Sequence, residues 1–193
     1  MELTNRFDAA LLLASELHRG QRRKGTTIPY MSHLLSVACL IMEDGGTEDE
    51  AIAGLLHDAV EDQGGRPTLV RIEAEFGSDV AHLVELASDT DVIPKPPWRA
   101  RKEAYVQHLE EAPPAALRVS AADKLHNARS IVRDLRSLGD QLWSRFSAGP
   151  SEQLWYYRSL VEVLSRRLPG PLTDELARTV DEMAQLTGDP AVR

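Results

Sequence analysis

Residues 54–62 read G-L-L-H-D-A-V-E-D, and the capacity for chemistry is concentrated there. An imidazole and three carboxylates, His57, Asp58, Glu61 and Asp62, follow an apolar run in a segment with helical periodicity. His57 to Glu61 and Asp58 to Asp62 are i,i+4 steps, and Asp58 to Glu61 is i,i+3. Within one helix these spacings put all four side chains on one side, a turn apart. Three neighbouring carboxylates repel one another unless something positive lies between them. A divalent cation meets that need, and mixed histidine and carboxylate donors suit Mn, Fe or Zn. The competing reading is an amphipathic helix whose polar residues face water, because acidic clusters also occur in structural ion-pair networks.

One helix turn supplies too few ligands for a metal, so others must come from elsewhere. His33 lies in P-Y-M-S-H-L-L-S-V-A, at the edge of an apolar stripe of Leu34, Val37, Ala38 and Ile41. It is either a ligand or a hydrogen-bonded core histidine. Asp123 lies in V-S-A-A-D-K-L-H-N-A-R, a carboxylate in a mostly apolar helix. A buried aspartate is costly unless it is paired or metal-bound. Here the choice is between a ligand and a salt bridge to Lys124 or to another helix. Asn127 is i+4 from Asp123 and points the same way. The run Arg22-Arg23-Lys24 precedes the His33 segment and reads as a basic loop. Arg129 is i+2 from Asn127 and faces elsewhere, which favours a structural salt bridge. His18, His82 and His108 have no partner pattern.

These groups need helices to hold them, and helical periodicity dominates the chain while period-2 alternation is absent. The expected class is all-α, a helical bundle of roughly eight to ten helices. The first helix runs from about Asn5 to His18 with Thr4 as N-cap. The second begins near Tyr30 and ends before Gly45-Gly46. The third opens on the capping-box pattern Thr47…Glu50 and carries the whole H-D-A-V-E-D segment to Gly64-Gly65. Thr68 is the expected cap of the next helix, and another follows Gly77. D-V-I-P-K-P-P is a loop, because its prolines cannot sit inside a helix. Helices resume with W-R-A-R-K-E-A-Y and with A-L-R-V-S-A-A-D-K-L-H-N. The last two run from about Ser151 to Leu168 and from about Asp174, capped by Thr173, to Leu186.

A chain of 193 residues suits one domain spanning 1–193. Its 30 acidic against 22 basic residues, a net charge of -8, argue against general nucleic-acid binding. An anionic small molecule stays open, because a few local cations can outweigh a distant negative field. No span reaches the roughly 18 apolar residues of a membrane helix, so no membrane partner is expected. No signal peptide is read, and the default compartment is the cytoplasm. Cys39, the one cysteine, reads as a small buried hydrophobe.

An H…HD…D set with an adjacent HD pair resembles the signature of HD-domain phosphohydrolases. The ordered company of Q-R-R-K-G-T-T-I-P-Y-M-S-H, L-L-H-D-A-V-E-D, F-G-S-D-V-A-H-L-V-E and A-A-D-K-L-H-N-A-R is similar to the hydrolase domain of RelA/SpoT-type enzymes. The core motifs span 7–133, and a helical C-terminal part, 134–187, matches more loosely. The resemblance implies a stand-alone alarmone hydrolase, with ppGpp and pppGpp as substrates. It implies a metal, usually Mn2+, on His33, His57, Asp58 and Asp123, and catalytic roles for Glu61 and Asp62. It implies substrate contacts from Arg23, Lys24, Lys95, Asn127 and Tyr156, and a packing role for His126. In the tail an arginine of metazoan relatives falls on Glu152. Removal of the 2′-phosphate of NADPH, and a silent alarmone-binding module, are the alternatives. The oligomeric state is not legible.

Overall fold

The structure is a computed structural model that describes residues 1–88 and 96–188. Among these are ten α-helices and one 3-10 helix, and the only β pairing is an isolated bridge between Arg22 and Pro29. The helices are α1 (Asn5–Leu17), α2 (Met31–Glu43), α3 (Glu48–Leu56), α4 (Ala59–Asp62), α5 (Arg66–Phe76), α6 (Ser78–Ala87), α7 (Trp98–Leu109), α8 (Pro114–Leu138), α9 (Pro150–Arg167) and α10 (Pro171–Leu186), with the 3-10 helix at Gly139–Arg145. The all-α expectation is met. No helix among the described residues is long and apolar enough to cross a membrane.

α8 organises the rest. Pro114 occupies its first turn, where the missing N–H costs nothing. Leu117, Ala121, Leu125, Ala128, Val132 and Leu135 recur at helical spacing and are all buried. α8 packs against α2, α3, α6, α9 and α10. α2 and α3 lie close because position 54 is glycine: a Cβ there would come 2.5 Å from Ile41 Cδ1. That close approach brings the segments bearing His33 and His57 together. Arg118 of α8 ties the same pair from outside. Its Nε donates to Asp44 at 2.9 Å and its Nη1 to the buried Glu50 at 2.5 Å.

Several local expectations hold and others do not. Thr4 caps α1, and Thr47 with Glu50 forms the capping box. Thr68 is not a cap. α5 opens two residues earlier, at Arg66-Pro67, and the Thr68 hydroxyl donates to the Gln63 carbonyl at 2.7 Å. Likewise α10 opens at Pro171, and Thr173 donates to Leu168 and Gly170 carbonyls. In both cases a proline in the first turn takes the start, and the threonine secures the preceding loop. Cys39 is exposed, not buried. Leu34, Val37, Ala38 and Ile41 occupy the inner face of α2 and leave position 39 outside.

The largest correction falls on the central motif. The third helix does not run unbroken through H-D-A-V-E-D. α3 stops at Leu56 and α4 starts at Ala59, with His57 and Asp58 in the turn between them. Asp58 adopts φ -93°, ψ -3°, the sparsely populated bridge region where many active-site residues sit. His57, Asp58, Glu61 and Asp62 therefore do not share one face of a single helix. The turn re-aims the first two, and the second two belong to a separate short helix.

Candidate metal centre and anion cavity

His57 is fixed by its Nδ1, which lies 2.9 Å from the Gly54 carbonyl one turn back. A carbonyl only accepts, so Nδ1 carries a proton and Nε2 is the position open to a metal or to a second proton. Nε2 faces Asp58 Oδ2 at 3.0 Å and Asp123 Oδ1 at 3.6 Å. His33 Nε2 faces the same two oxygens, at 3.5 Å and 3.2 Å. The donor atoms of His33, His57 and Asp58 all lie within 4.8 Å of one another. α2, the α3–α4 turn and α8 each contribute to the cluster.

Both Nε2 atoms are buried, yet neither makes a hydrogen bond of acceptable geometry. The donor atoms of His33, His57 and Asp58 gather in one small volume, and Asp123 Oδ1 lies 3.2–3.6 Å from both imidazoles, an arrangement compatible with a metal site. Donor type agrees: two imidazoles and two carboxylates suit a borderline divalent ion. Electrostatics agree as well. Burial disfavours charge on Asp58, and the facing His57 and His33 imidazoles overcome it, holding the carboxyl well below its usual range. Burial opposes charge on His57 too, but Asp58 and Asp123 raise it well above its ordinary value. These carboxylates draw positive charge to the place where a metal would sit, so a metal and a proton compete there.

The surroundings hold these groups in place. Tyr30 donates its hydroxyl to Asp58 Oδ2 at 2.6 Å, and its ring stacks on His18 with centroids 5.4 Å apart. His33 Nδ1 meets His126 Nδ1 at 2.7 Å. Burial, then the neighbouring His33 and Arg23, push His126 down to about 3 and keep it neutral. Asp123 accepts from Asn127 Nδ2 at 2.6 Å and pairs with Lys124 Nζ at 2.5 Å. The salt bridge and the metal-type geometry, which stood as alternatives for Asp123, therefore coexist on its two oxygens. Sequence reasoning left Tyr30 unassigned and gave His126 only packing. Tyr30, three residues before His33, carried a usable signal in that spacing; nothing marked His126.

Next to the cluster lies a cavity of about 340 Å³, lined among others by Arg23, Lys24, Lys102, Lys124, Asn127 and Tyr156. The basic segment before α2 reaches it by folding back on itself. Arg23 N–H donates to the Ile28 carbonyl and Tyr30 N–H to the Gln21 carbonyl. Gly25 turns this small hairpin with φ +70°, and a Cβ there would come 2.8 Å from Arg145 Cδ. Arg23 Nη2 then donates to Asn127 Oδ1 at 2.7 Å. Arg23, Asn127 and Asp123 thus form one continuous chain from cavity to cluster. Tyr156 is buried in the wall with Lys102 Nζ 4.9 Å from its ring centre.

Asp62 Oδ2 accepts from Gln21 Nε2 at 2.7 Å. Partial desolvation raises the Asp62 carboxyl, the Gln21 bond lowers it, and the charges on Asp58 and Glu61 add to the rise, which prevails. Lys95 lies outside the described residues. Glu152 pairs with Arg99 at 3.1 Å, away from the cavity lining, and Arg129 pairs with Glu175 on α10.

A model of the HD domain matches residues 10–151. The chain belongs to the HD-domain family. This HD-domain chain is 39% identical over 145 residues to the guanosine-3′,5′-bis(diphosphate) 3′-pyrophosphohydrolase of Xenopus tropicalis, covering 71% of this chain and 76% of that one. It is 33% identical to the bifunctional (p)ppGpp synthase/hydrolase SpoT of Escherichia coli, over 65% of this chain but only 18% of that longer protein. In three dimensions it resembles a metazoan SpoT orthologue described as hydrolysing ppGpp, with a TM-score of 0.73, 25% identity and coverage of 97% and 98%. The adjacent His57-Asp58 turn lies within the matched residues.

Proposed function

We propose that this chain is a metal-dependent hydrolase that removes the 3′-pyrophosphate of guanosine alarmones. ppGpp and water give GDP and pyrophosphate, and pppGpp gives GTP and pyrophosphate. The observation that carries the reading is the hydrogen-bonded chain Arg23–Asn127–Asp123, which joins a cationic cavity to a metal-type cluster in an otherwise acidic protein. The names of the relatives supply the substrate.

In this reading His33, His57, Asp58 and Asp123 hold one divalent ion, which we take to be Mn2+. When bound, it lowers the pKa of water and screens phosphate charge. Glu61 and Asp62 orient the attacking water and accept its proton. The raised Asp62 carboxyl is suited to that exchange, and Gln21 keeps it in place. The water oxygen bonds to the phosphorus carried on the 3′-oxygen, the bond between them breaks, and the departing nucleotide oxygen takes up a proton. Arg23, Lys24 and Lys95 offset substrate charge, Asn127 positions Arg23 against the cluster, and Tyr156 forms the cavity wall. We place one HD-type domain over 1–193, working in the cytoplasm on a free nucleotide.

Purified protein with Mn2+, offered ppGpp, pppGpp, NADPH and simple nucleotides, tests this. Pyrophosphate release from the alarmones alone supports it. Orthophosphate release from NADPH would move the substrate to the 2′-phosphate of a dinucleotide, and alarmone binding without turnover would make the chain a sensor.

A further inference from the structure

The two histidines of the cluster are secured by different means. His57 rests on a backbone carbonyl, which can act only as an acceptor. His33 rests on a second imidazole, His126 of α8, with 2.7 Å between the two Nδ1 atoms. At that distance one Nδ1 carries a proton and the other does not. If His126 were the donor, His33 would hold its own proton on Nε2, and Nε2 could not take a metal. His33 is fully buried, and its Nε2 lies 3.2–3.5 Å from the Asp123 and Asp58 oxygens without hydrogen-bonding either. A protonated Nε2 would seek one of those oxygens. The other arrangement pairs both Nδ1 atoms and leaves Nε2 open for an ion: His33 donates from Nδ1, His126 accepts at Nδ1, and the His33 lone pair faces the cluster.

We infer that His126 is a positioning residue that selects the metal-binding tautomer and ring orientation of His33. The inference rests on the reading of His33 as a ligand. The His126 backbone is held within α8, whose Ser130 hydroxyl donates to the His126 carbonyl at 3.0 Å. α8 also carries Asp123. One helix therefore delivers a ligand to the centre and the acceptor that orients a second ligand from α2. A partner that orients a ligand in this way typically contributes about 10–100-fold in metal affinity.

The test compares His126→Leu with His126→Asn, using chelator competition for Mn2+ and Zn2+. Asn can place a carbonyl oxygen near the lost Nδ1, and Leu cannot. The expected result is a loss of about 10–100-fold in affinity for Leu and recovery of most of it by Asn. Helical circular dichroism of both variants guards against misfolding. Long-range 1H–15N spectra of the Zn2+-loaded wild type give an answer that needs no variant: His33 should carry its proton on Nδ1 and His126 on Nε2. Wild-type affinity in the Leu variant, equal losses in both, or a proton on His126 Nδ1 would each overturn the inference while leaving the metal centre standing. A wild type that binds neither metal would instead remove the ligand assignment on which the inference is built.

Discussion

Asp123→Asn perturbs both roles of this residue, and the structure separates them. The Asp123 side chain is 9% exposed and Lys124 is 13% exposed, with 2.5 Å between their charged atoms. Burial works against both charges. The pair overcomes it, holding the carboxyl low and the ammonium high. Asn keeps the shape and the bond from Asn127 but leaves a buried ammonium without its counter-ion. Breaking one side of a buried pair costs about 3–5 kcal/mol. Lys124 lines the cavity and can regain water there, so the lower end applies, about 3 kcal/mol. For a chain of this size that is a fall in Tm of roughly 6–12 °C. The assay is urea and thermal unfolding of protein stripped of metal by chelator, so that ligand loss does not contribute. Asp123→Asn with Lys124→Met removes both charges and should recover most of the stability, because no ion is left unpaired. Neither variant should bind a metal normally. A single variant as stable as wild type, or a double variant less stable than the single one, would show that the Asp123–Lys124 pair does not carry this stability.

Arg23→Ala removes a charged donor to Asn127 and should raise KM for an alarmone about ten- to a hundredfold, with metal content unchanged; steady-state kinetics with metal analysis check it. Glu61→Gln and Asp62→Asn should each lower kcat by about 10²–10⁴-fold on metal-loaded protein at saturating substrate, and loss of the metal instead would make these residues ligands. Gly25→Ala forces a side chain into φ +70° against Arg145, so stability should fall by about 1–2 kcal/mol, read from the denaturation midpoint, and KM should rise as Arg145 shifts in the cavity wall.

Residue types revealed part of the site, and backbone detail hid the rest. The residue types alone left His33 and Asp123 open between ligand and structural partner, and the four-residue set came from the family resemblance; the fold brings His33, His57 and Asp58 together and sets Asp123 Oδ1 beside both imidazoles. Asn127 was legible from its i+4 step, and it bonds to Asp123 as that step requires. The turn at His57-Asp58 was not legible, since periodicity continues across it while the geometry does not. Thr68 and Thr173 misled for a related reason: a threonine satisfies backbone carbonyls as readily as it caps amides, and the nearby prolines decided where the helices start. Tyr30 and His126 act on Asp58 and His33 across 28 and 93 residues of sequence, and such pairings appear only once α2, α3 and α8 are packed.

The most direct measurement is product analysis of ppGpp incubated with the purified chain and Mn2+, by 31P NMR or ion-exchange chromatography. Equal amounts of GDP and pyrophosphate are expected, none after chelation, with recovery when Mn2+ is restored. Intact ppGpp, or orthophosphate in place of pyrophosphate, would contradict the proposed function.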